Sequence, residues 1–291
     1  MKKFILLTFD LEEFDLPQEY NIAIDKKTQM AVSTSGLLNL LAILKQHNLT
    51  ATFFTTAHYA ENNPSIIQKL VADGHEIASH LYYHSVYNTE HLLQSKQKLE
   101  AISQQKVSGI RIPRLKQFEY RLIKEAGYLY DSSLNPTYLP GRYNYFTKPR
   151  TLFTDEASSL LILPLSVSHK FRFPLFWLSF KNLYLPFYIT LCKRILKKDD
   201  CLHLYFHPWE FTELNNFNLP WYIQRRSGQK MTNRLNDFIS TMKKEASFIK
   251  VTDYLCKKSS KTLFQLRKDT EAKLPEEIKT TNKIDVELQL S

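Results

Sequence analysis

Cysteine is scarce in this chain of 291 residues: Cys192, Cys201 and Cys256 are its only three. An odd, widely spaced set makes no disulfide framework and fits a reducing compartment, so a cytoplasmic location is expected. Long apolar runs are also missing. The opening run Phe4 to Phe9 is too short for a secretory leader, is closed by Asp10, and has no small-residue cleavage site behind it. It reads as a first buried strand. Residues 171–198 are rich in Phe, Tyr, Leu and Trp, but Lys181 and Asn182 interrupt them, which argues against a spanning helix. Acidic residues are in the minority, 29 against 39 Lys and Arg, for a formal net charge of +10. That excess suits an anionic surface, whether membrane, glycan or nucleic acid. No basic tract with regular aromatic spacing and no helix-turn-helix signature is present, so no nucleic-acid partner is expected. No internal repeat is visible.

What is present is enough for a sizeable core, since hydrophobic residues make up 43% of the chain and charged residues 23%. Short apolar runs alternate with helical periodicity. Phe4–Phe9, Ala51–Thr55, His75–Ser79, Gly109–Ile112, Tyr128–Asp131, Leu160–Leu165, Cys201–Phe206 and Phe248–Val251 are strand-like. Between them, Ser35 is placed to cap a helix carrying Leu37 to Leu44, and Pro64 to open one that ends near Gly74. Further helical periods cover 89–103, the region of Leu122 to Ala126, and 231–245. Strand and helix in this alternation imply an α/β fold with βαβ units and a parallel sheet, whose strands are buried on both faces. Residues 1–256 are expected to form the folded domain, and 257–291 a polar, disordered tail.

Ionisable residues gather just behind the apolar strands. Asp10, Glu12, Glu13 and Asp15 follow the first; His80 and His84 follow His75–Ser79; Arg111 ends Gly109–Ile112; Asp131 ends Tyr128–Asp131; His207 follows Cys201–Phe206. In a parallel barrel the C-terminal strand ends form one rim, so separate segments would meet on one face. Four positions apart, His80 and His84 would share a face of a helical turn and hold one metal ion. A third, carboxylate ligand would come from the acidic cluster, leaving one position open for water.

Taken in order, Thr8-Phe9-Asp10, Gly74-His75-Glu76-Ile77-Ala78-Ser79-His80 with His84, Arg111-Ile112-Pro113, Tyr130-Asp131-Ser132-Ser133 and His207-Pro208-Trp209-Glu210 resemble the polysaccharide deacetylase family, from about Lys3 to about Leu255. The resemblance implies a distorted parallel (β/α) barrel of seven or so strands. It also implies a divalent metal, usually zinc, held by one acid and two histidines, and an N-acetylated saccharide as substrate. By position Asp10 matches the catalytic base, Arg111 the residue that positions it, His80 and His84 the metal histidines, and His207 the acid that protonates the leaving nitrogen. Asp131 matches the carboxylate that orients the histidine, though it is equally placed to cap the Ser132-Ser133 turn. The usual family pattern has adjacent aspartates, the second binding metal. Here Leu11 follows Asp10 and should face away from it, whereas Glu12 returns to the same side and is long enough to be the ligand. Glu13 and Asp15 stay open as alternatives.

Two rival functions remain at this level: hydrolysis of another amide, such as a formamide, and a non-catalytic carbohydrate- or membrane-binding barrel. His203 reads as a buried structural histidine. Residues 171–198 read either as a core-facing helix pair or as an aromatic and basic surface in peripheral contact with an anionic membrane.

Overall fold

Every residue of the first strand, β1 (Phe4–Leu11), is buried, so it has a covered surface on both sides. Its side chains divide by period two. Ile5, Leu7, Phe9 and Leu11 enter the main core with Leu37, Leu40, Leu41 and Leu44 of α1 (Lys26–Gln46). Phe4 and Leu6 point the other way, into a second core with Phe54, Ala78, Tyr130 and Leu163, which fills the concave side of the sheet. Thr8, Asp10 and Glu12 continue that inner row.

The computed structural model describes residues 2–259 and residue 265. After α1 come β2 (Thr52–Thr55), α2 (Ala57–Asn62), α3 (Pro64–Ala72), β3 (Glu76–Ser79), α4 (Glu90–Ser103), β4 (Gly109–Ile110), α5 (Tyr120–Glu125) and β5 (Tyr130–Asp131). A hairpin of β6 (Tyr138–Leu139) and β7 (Tyr143–Asn144) precedes β8 (Phe153–Thr154) and β9 (Leu161–Ile162). The chain ends with α6 (Trp177–Asn182), α7 (Leu185–Lys198), β10 (Cys201–Phe206), α8 (Trp221–Gln224), α9 (Gln229–Met242), β11 (Ser247–Phe248) and α10 (Val251–Ser259). The sheet runs β10-β1-β2-β3-β4-β5-β9-β8, with β11 beside the start of β1. All of these pairings are parallel except that of β8 with β9. This is the expected α/β architecture, a curled, incompletely closed barrel. The tail expected from 257 lies outside the described residues beyond Ser259, apart from residue 265, and Lys257–Ser259 continue α10.

Two local expectations are corrected. The first helix begins at Lys26, not at Ser35: Asp25 caps it by accepting from Thr28 N at 2.9 Å and Thr28 Oγ1 at 2.6 Å. The apolar period starts later than the helix because its first turn, Lys26-Lys27-Thr28-Gln29, is polar. Residues 80–84 are not a helical turn. They form an irregular loop in which buried Leu81 takes φ 59°, a left-handed conformation that costs a branched residue energy. Backbone bonds from Ala57 N to Leu81 O and His58 N to Tyr82 O hold that loop against the start of α2.

Gly36 sets how closely α1 approaches the turn behind β10. A Cβ there would lie 1.9 Å from the Pro208 carbonyl oxygen and 2.9 Å from Thr212 Oγ1. Gly36→Ala should therefore lower unfolding free energy by about 1–3 kcal/mol, as overpacking does, despite the better helix propensity of alanine. Urea denaturation checks this; a stabilised variant would show that the helix and turn are not in close contact.

Candidate metal centre and active site

The inner row of β1 meets the ends of β3, β4 and β10. Glu12 Oε2 lies 3.1 Å from His80 Nε2 and 3.2 Å from His84 Nε2. Among the described residues these three side chains form the single cluster of potential metal ligands, and all are buried. His80 Nδ1 contacts the Arg111 carbonyl oxygen at 2.7 Å, which can only accept, so that nitrogen carries the proton. His84 Nδ1 likewise donates to Asp15 Oδ1 at 2.6 Å. In the neutral imidazoles both Nε2 lone pairs then face a carboxylate oxygen, so three acceptors converge with no donor between them. A cation resolves that conflict. Ligands about 2.0–2.1 Å from a tetrahedral ion stand roughly 3.3 Å apart, close to the spacing here. The donor set and its outer partners therefore fit a divalent metal. With protons alone, burial would depress the His84 pKa, yet Glu12 and Asp15 outweigh it and raise it to about 9. Burial raises that of Glu12, but His84, His80 and His207 hold it down at about 2.

The remaining acids of this cluster fix the loop. Glu13 accepts from Thr56 Oγ1 at 2.8 Å and from His84 N at 3.0 Å, which ties the histidine loop to β1 and α2. Asp15 holds the ring of His84, so it stands one step behind Glu12. Leu11 is fully buried in the outer core, and Glu12 takes the inward place.

On one flank Arg111, with no exposed surface, donates from Nη1 to Asp10 Oδ1 at 2.5 Å. Its Nη2 reaches Thr8 Oγ1 at 3.0 Å, Ser132 Oγ at 2.8 Å and His203 Nε2 at 3.1 Å, and its plane lies 4.0 Å from the Phe54 ring centre. His203 Nδ1 is 3.2 Å from the Pro164 carbonyl. Burial, aided by Arg111, pushes the His203 pKa far down. It is thus a neutral acceptor for Arg111.

On the other flank His207 stacks on Trp209, with ring centres 4.6 Å apart, and meets Trp177 edge-on at 5.3 Å. Trp209 Nε1 donates to Glu12 Oε1 at 3.2 Å, joining this flank to the metal cluster. Glu210 Oε1 accepts from His207 N at 2.9 Å and lies 3.3 Å from His207 Nδ1. Behind it, fully buried Lys181 places Nζ 3.7 Å from Glu210 Oε2 and 2.8 Å from the Ile223 carbonyl. Burial lowers the His207 pKa, but Glu210, Glu12 and Asp10 prevail and raise it, favouring a proton-carrying imidazole.

Asp10, Glu12, His80, His84, Arg111 and His207 are brought together; Asp131 is not. Its Oδ1 accepts from Ser133 N at 3.1 Å and from Ser133 Oγ, the turn-capping alternative, and the carboxylate beside His207 is Glu210. Glu210, Trp209 and Lys181 have no assigned part in the sequence reading, whereas His203, expected as a buried structural histidine, is buried and accepts from Arg111. Glu210 was visible as the end of the His-Pro-Trp-Glu motif, and His203 by its period-two relation to His207. Lys181, remote in sequence, carried no such signal.

Residues 1–130 match the family model described as polysaccharide deacetylase. The chain is 31% identical to the peptidoglycan-N-acetylmuramic acid deacetylase PdaA of Bacillus subtilis over 99 residues, covering 31% of this chain and 38% of that protein. It is 44% identical to a chitooligosaccharide deacetylase of Bradyrhizobium over 46 residues, 16% of this chain and 21% of that one. The chain thus spans well under half the length of these curated relatives. In fold it is similar to a structure from Mycobacterium smegmatis described as that of a polysaccharide deacetylase, with TM-score 0.60, 18% identity, and 94% and 92% of the two chains covered. It is also similar to Puue allantoinase, with TM-score 0.58, 15% identity, and coverage of 94% and 91%.

Asp131 is fully buried with Oδ2 lacking a hydrogen-bond partner, and burial, against the pull of Ser133 and Arg111, raises its pKa to about 6. A raised carboxyl pKa stabilises the fold below the unfolded value, near 4, and loses that contribution as pH rises through about 6. Asp131→Asn stays neutral throughout. The melting temperature of the variant minus that of the parent should therefore increase between about pH 4 and pH 7. A difference that stays flat would show that Asp131 ionises without penalty.

Proposed function

We propose that this chain is a metal-dependent hydrolase that removes an N-acyl group, acetyl in the first instance, from an amino sugar in a saccharide. Zinc is the proposed ion, on the two-imidazole, one-carboxylate set of Glu12, His80 and His84. The reducing compartment implied by the sparse cysteines makes the cytoplasm the proposed location. Among the described residues no helix is long and apolar enough to cross a membrane.

The observation that supports this reading is that the buried cluster of Glu12, His80 and His84 has two groups beside it, Asp10 held by Arg111 and His207 stacked on the Trp209 that donates to Glu12. A bound divalent ion would supply Lewis acidity to the acyl oxygen and make water easier to deprotonate. Asp10 takes the proton of the attacking water. Arg111 holds one oxygen of Asp10, leaving Oδ2 for that role. The C–N bond breaks as His207 gives its proton to the departing nitrogen through Nε2, since Nδ1 is engaged by Glu210. Asp10 ends protonated and His207 neutral, and exchange with water restores both. Trp177 and Trp209 pack against the His207 ring and keep bulk water from it.

The test is release of acetate from N-acetylated chito-oligosaccharides and peptidoglycan fragments by the zinc-loaded chain. Asp10→Asn and His207→Ala should each lower kcat about 10²–10⁴-fold while metal content stays that of the parent. Acetate release by the parent that neither substitution reduces would remove both assigned roles. No acyl release from any N-acyl amino sugar by the metal-replete parent would refute the reading.

A further inference from the structure

The buried cluster of Glu12, His80 and His84 leads by direct contacts to a more exposed group of charges. Asp15, which holds His84, has its second oxygen 3.9 Å from Arg114 Nη2. Ser85 Oγ, bonded to that same oxygen, lies 3.3 Å from the Arg114 guanidinium. Arg114 Nε stands 2.9 Å from Glu19 Oε1, and the other oxygen of Glu19 is 3.8 Å from Arg142 Nη2. One carboxylate thus sits between two guanidinium groups from separate connections. Glu19 belongs to the turn Leu16–Tyr20 behind β1, Arg114 follows β4, and Arg142 leaves the turn between β6 and β7.

The backbone is shaped to present these cations. Arg114 and Leu115 follow one another at φ 57° and 55°, left-handed conformations that are costly for residues with side chains. Buried Leu115 packs with Leu165 and Tyr205, which pins this turn, while the Arg114 side chain stays 30% exposed. Leu139-Pro140-Gly141-Arg142 is a Pro-Gly turn: Gly141 takes φ 77° and Arg142 N donates to Leu139 O at 3.0 Å. Asn135 Nδ2 donates to the Tyr143 hydroxyl at 2.9 Å and braces the exit of that turn. Arg142 also bears on the β10 side of the site. With Arg111 it pulls down the pKa of Tyr205, which burial, Tyr143 and Asp10 raise; the Tyr205 ring is 5.6 Å from that of His207.

Neither arginine is gripped. The 3.8 Å of Arg142 is too long for a hydrogen bond. Arg114 Nε, though near Glu19, is a buried donor with no hydrogen-bond acceptor among the described residues. The Tyr87 hydroxyl is likewise buried without a partner among them. Burial lifts its pKa to about 12, and the charges that bear on it are Arg114, Asp15, Glu12 and Glu19, so it shares the space of the metal cluster and Arg114. Lys116 Nζ lies 3.6 Å over the same ring. Outside the metal cluster, cations here outnumber the carboxylates Asp15 and Glu19, and Asp15 is already engaged by His84 and Ser85.

We propose that Arg114 and Arg142 form a recognition site for an acidic group, carboxylate or phosphate, carried by the amino sugar, and that Glu19 holds the pair until that group takes its place. A guanidinium fork can give such an acid two parallel charge-assisted bonds, which Glu19 does not receive. A plain brace of the Leu16–Tyr20 turn would close its hydrogen bonds, and these stay open. The anion site rests on these contacts alone; its role in selecting a substrate rests additionally on the deacetylase reading.

Calorimetry on the full, zinc-loaded chain carrying Asp10→Asn, which blocks turnover, compares N-acetylglucosamine with N-acetylmuramic acid and with N-acetylglucosamine phosphate. At least one acidic sugar should bind about tenfold or more tightly than the neutral one, the size of a charge-assisted contact. The tighter of the two shows whether the acid is a carboxylate or a phosphate. Adding Arg142→Gln should abolish the preference and leave affinity for the neutral sugar within about twofold, whereas an acid bound directly on the metal would keep its advantage. Arg142→Lys should keep part of the preference. Glu19→Gln should strengthen binding of the acidic sugar, because the competing carboxylate is gone. Unchanged melting transitions confirm that these variants are folded. Equal affinity for all the sugars, binding of none, a preference that survives Arg142→Gln, or weaker acid binding in Glu19→Gln would overturn the site. Acid preference without acetate release from any N-acetylated sugar by the zinc-loaded parent would fall on the deacetylase reading alone.

Discussion

Along β1 a single backbone period carries two incompatible requirements. The outer row, Ile5 to Leu11, is apolar and packs under α1; the inner row passes from Phe4 and Leu6 to Thr8, Asp10 and Glu12. A one-residue slip would bury the acids beneath a helix and turn the leucines toward the site. The strand is held against it by continuous parallel register with β10, from Phe4 opposite Cys201 to Phe9 opposite Phe206. That register also brings the residue following β10, His207, to the level of Asp10.

The cost of this arrangement is buried charge. Asp10, Glu12, Glu13, Asp15 and Glu210 are all buried at this end of the barrel, where the fully buried cations are Arg111 and Lys181. Removing one partner of such a pair costs about 3–5 kcal/mol, because the other charge is left desolvated. Arg111 and Lys181 therefore do different work with the same chemistry. Arg111 fixes Asp10 through a fork also anchored on Thr8, Ser132 and neutral His203. Lys181 approaches Glu210 from behind, and Glu210 in turn holds His207. What remains unbalanced is centred on Glu12, and the converging lone pairs of His80 and His84 place a cation there more naturally than two further protons.

Much of this was legible because strands and chemistry coincide. The apolar runs at Phe4, His75 and Cys201 marked β1, β3 and β10, and the ionisable residues behind them marked the rim. Period two alone distinguished Glu12 from Leu11. Spacing was a poorer guide at His80 and His84: four residues apart suggested a helix, whereas Glu13, Thr56 and the backbone of α2 hold a loop that no local pattern announces. At Asp131 two readings stayed open, and the turn-capping one fits its contacts. Asp131 ends a strand as a site residue would, yet its oxygen is taken by Ser133 two residues on, while Glu210 reaches back within its own turn. The strands between 138 and 162 are two residues long each, too short to show any alternation.

The central claim is that Glu12, not Asp10, completes the metal site. Zinc affinity by competition with a chelating dye, compared for the parent, Glu12→Gln and Asp10→Asn, tests it most directly. Losing a ligating carboxylate should weaken binding by at least about 10–100-fold, the size of an outer-shell loss, whereas Asp10→Asn should change it by less. Equal affinity in Glu12→Gln and the parent, or a larger loss in Asp10→Asn, would contradict the account.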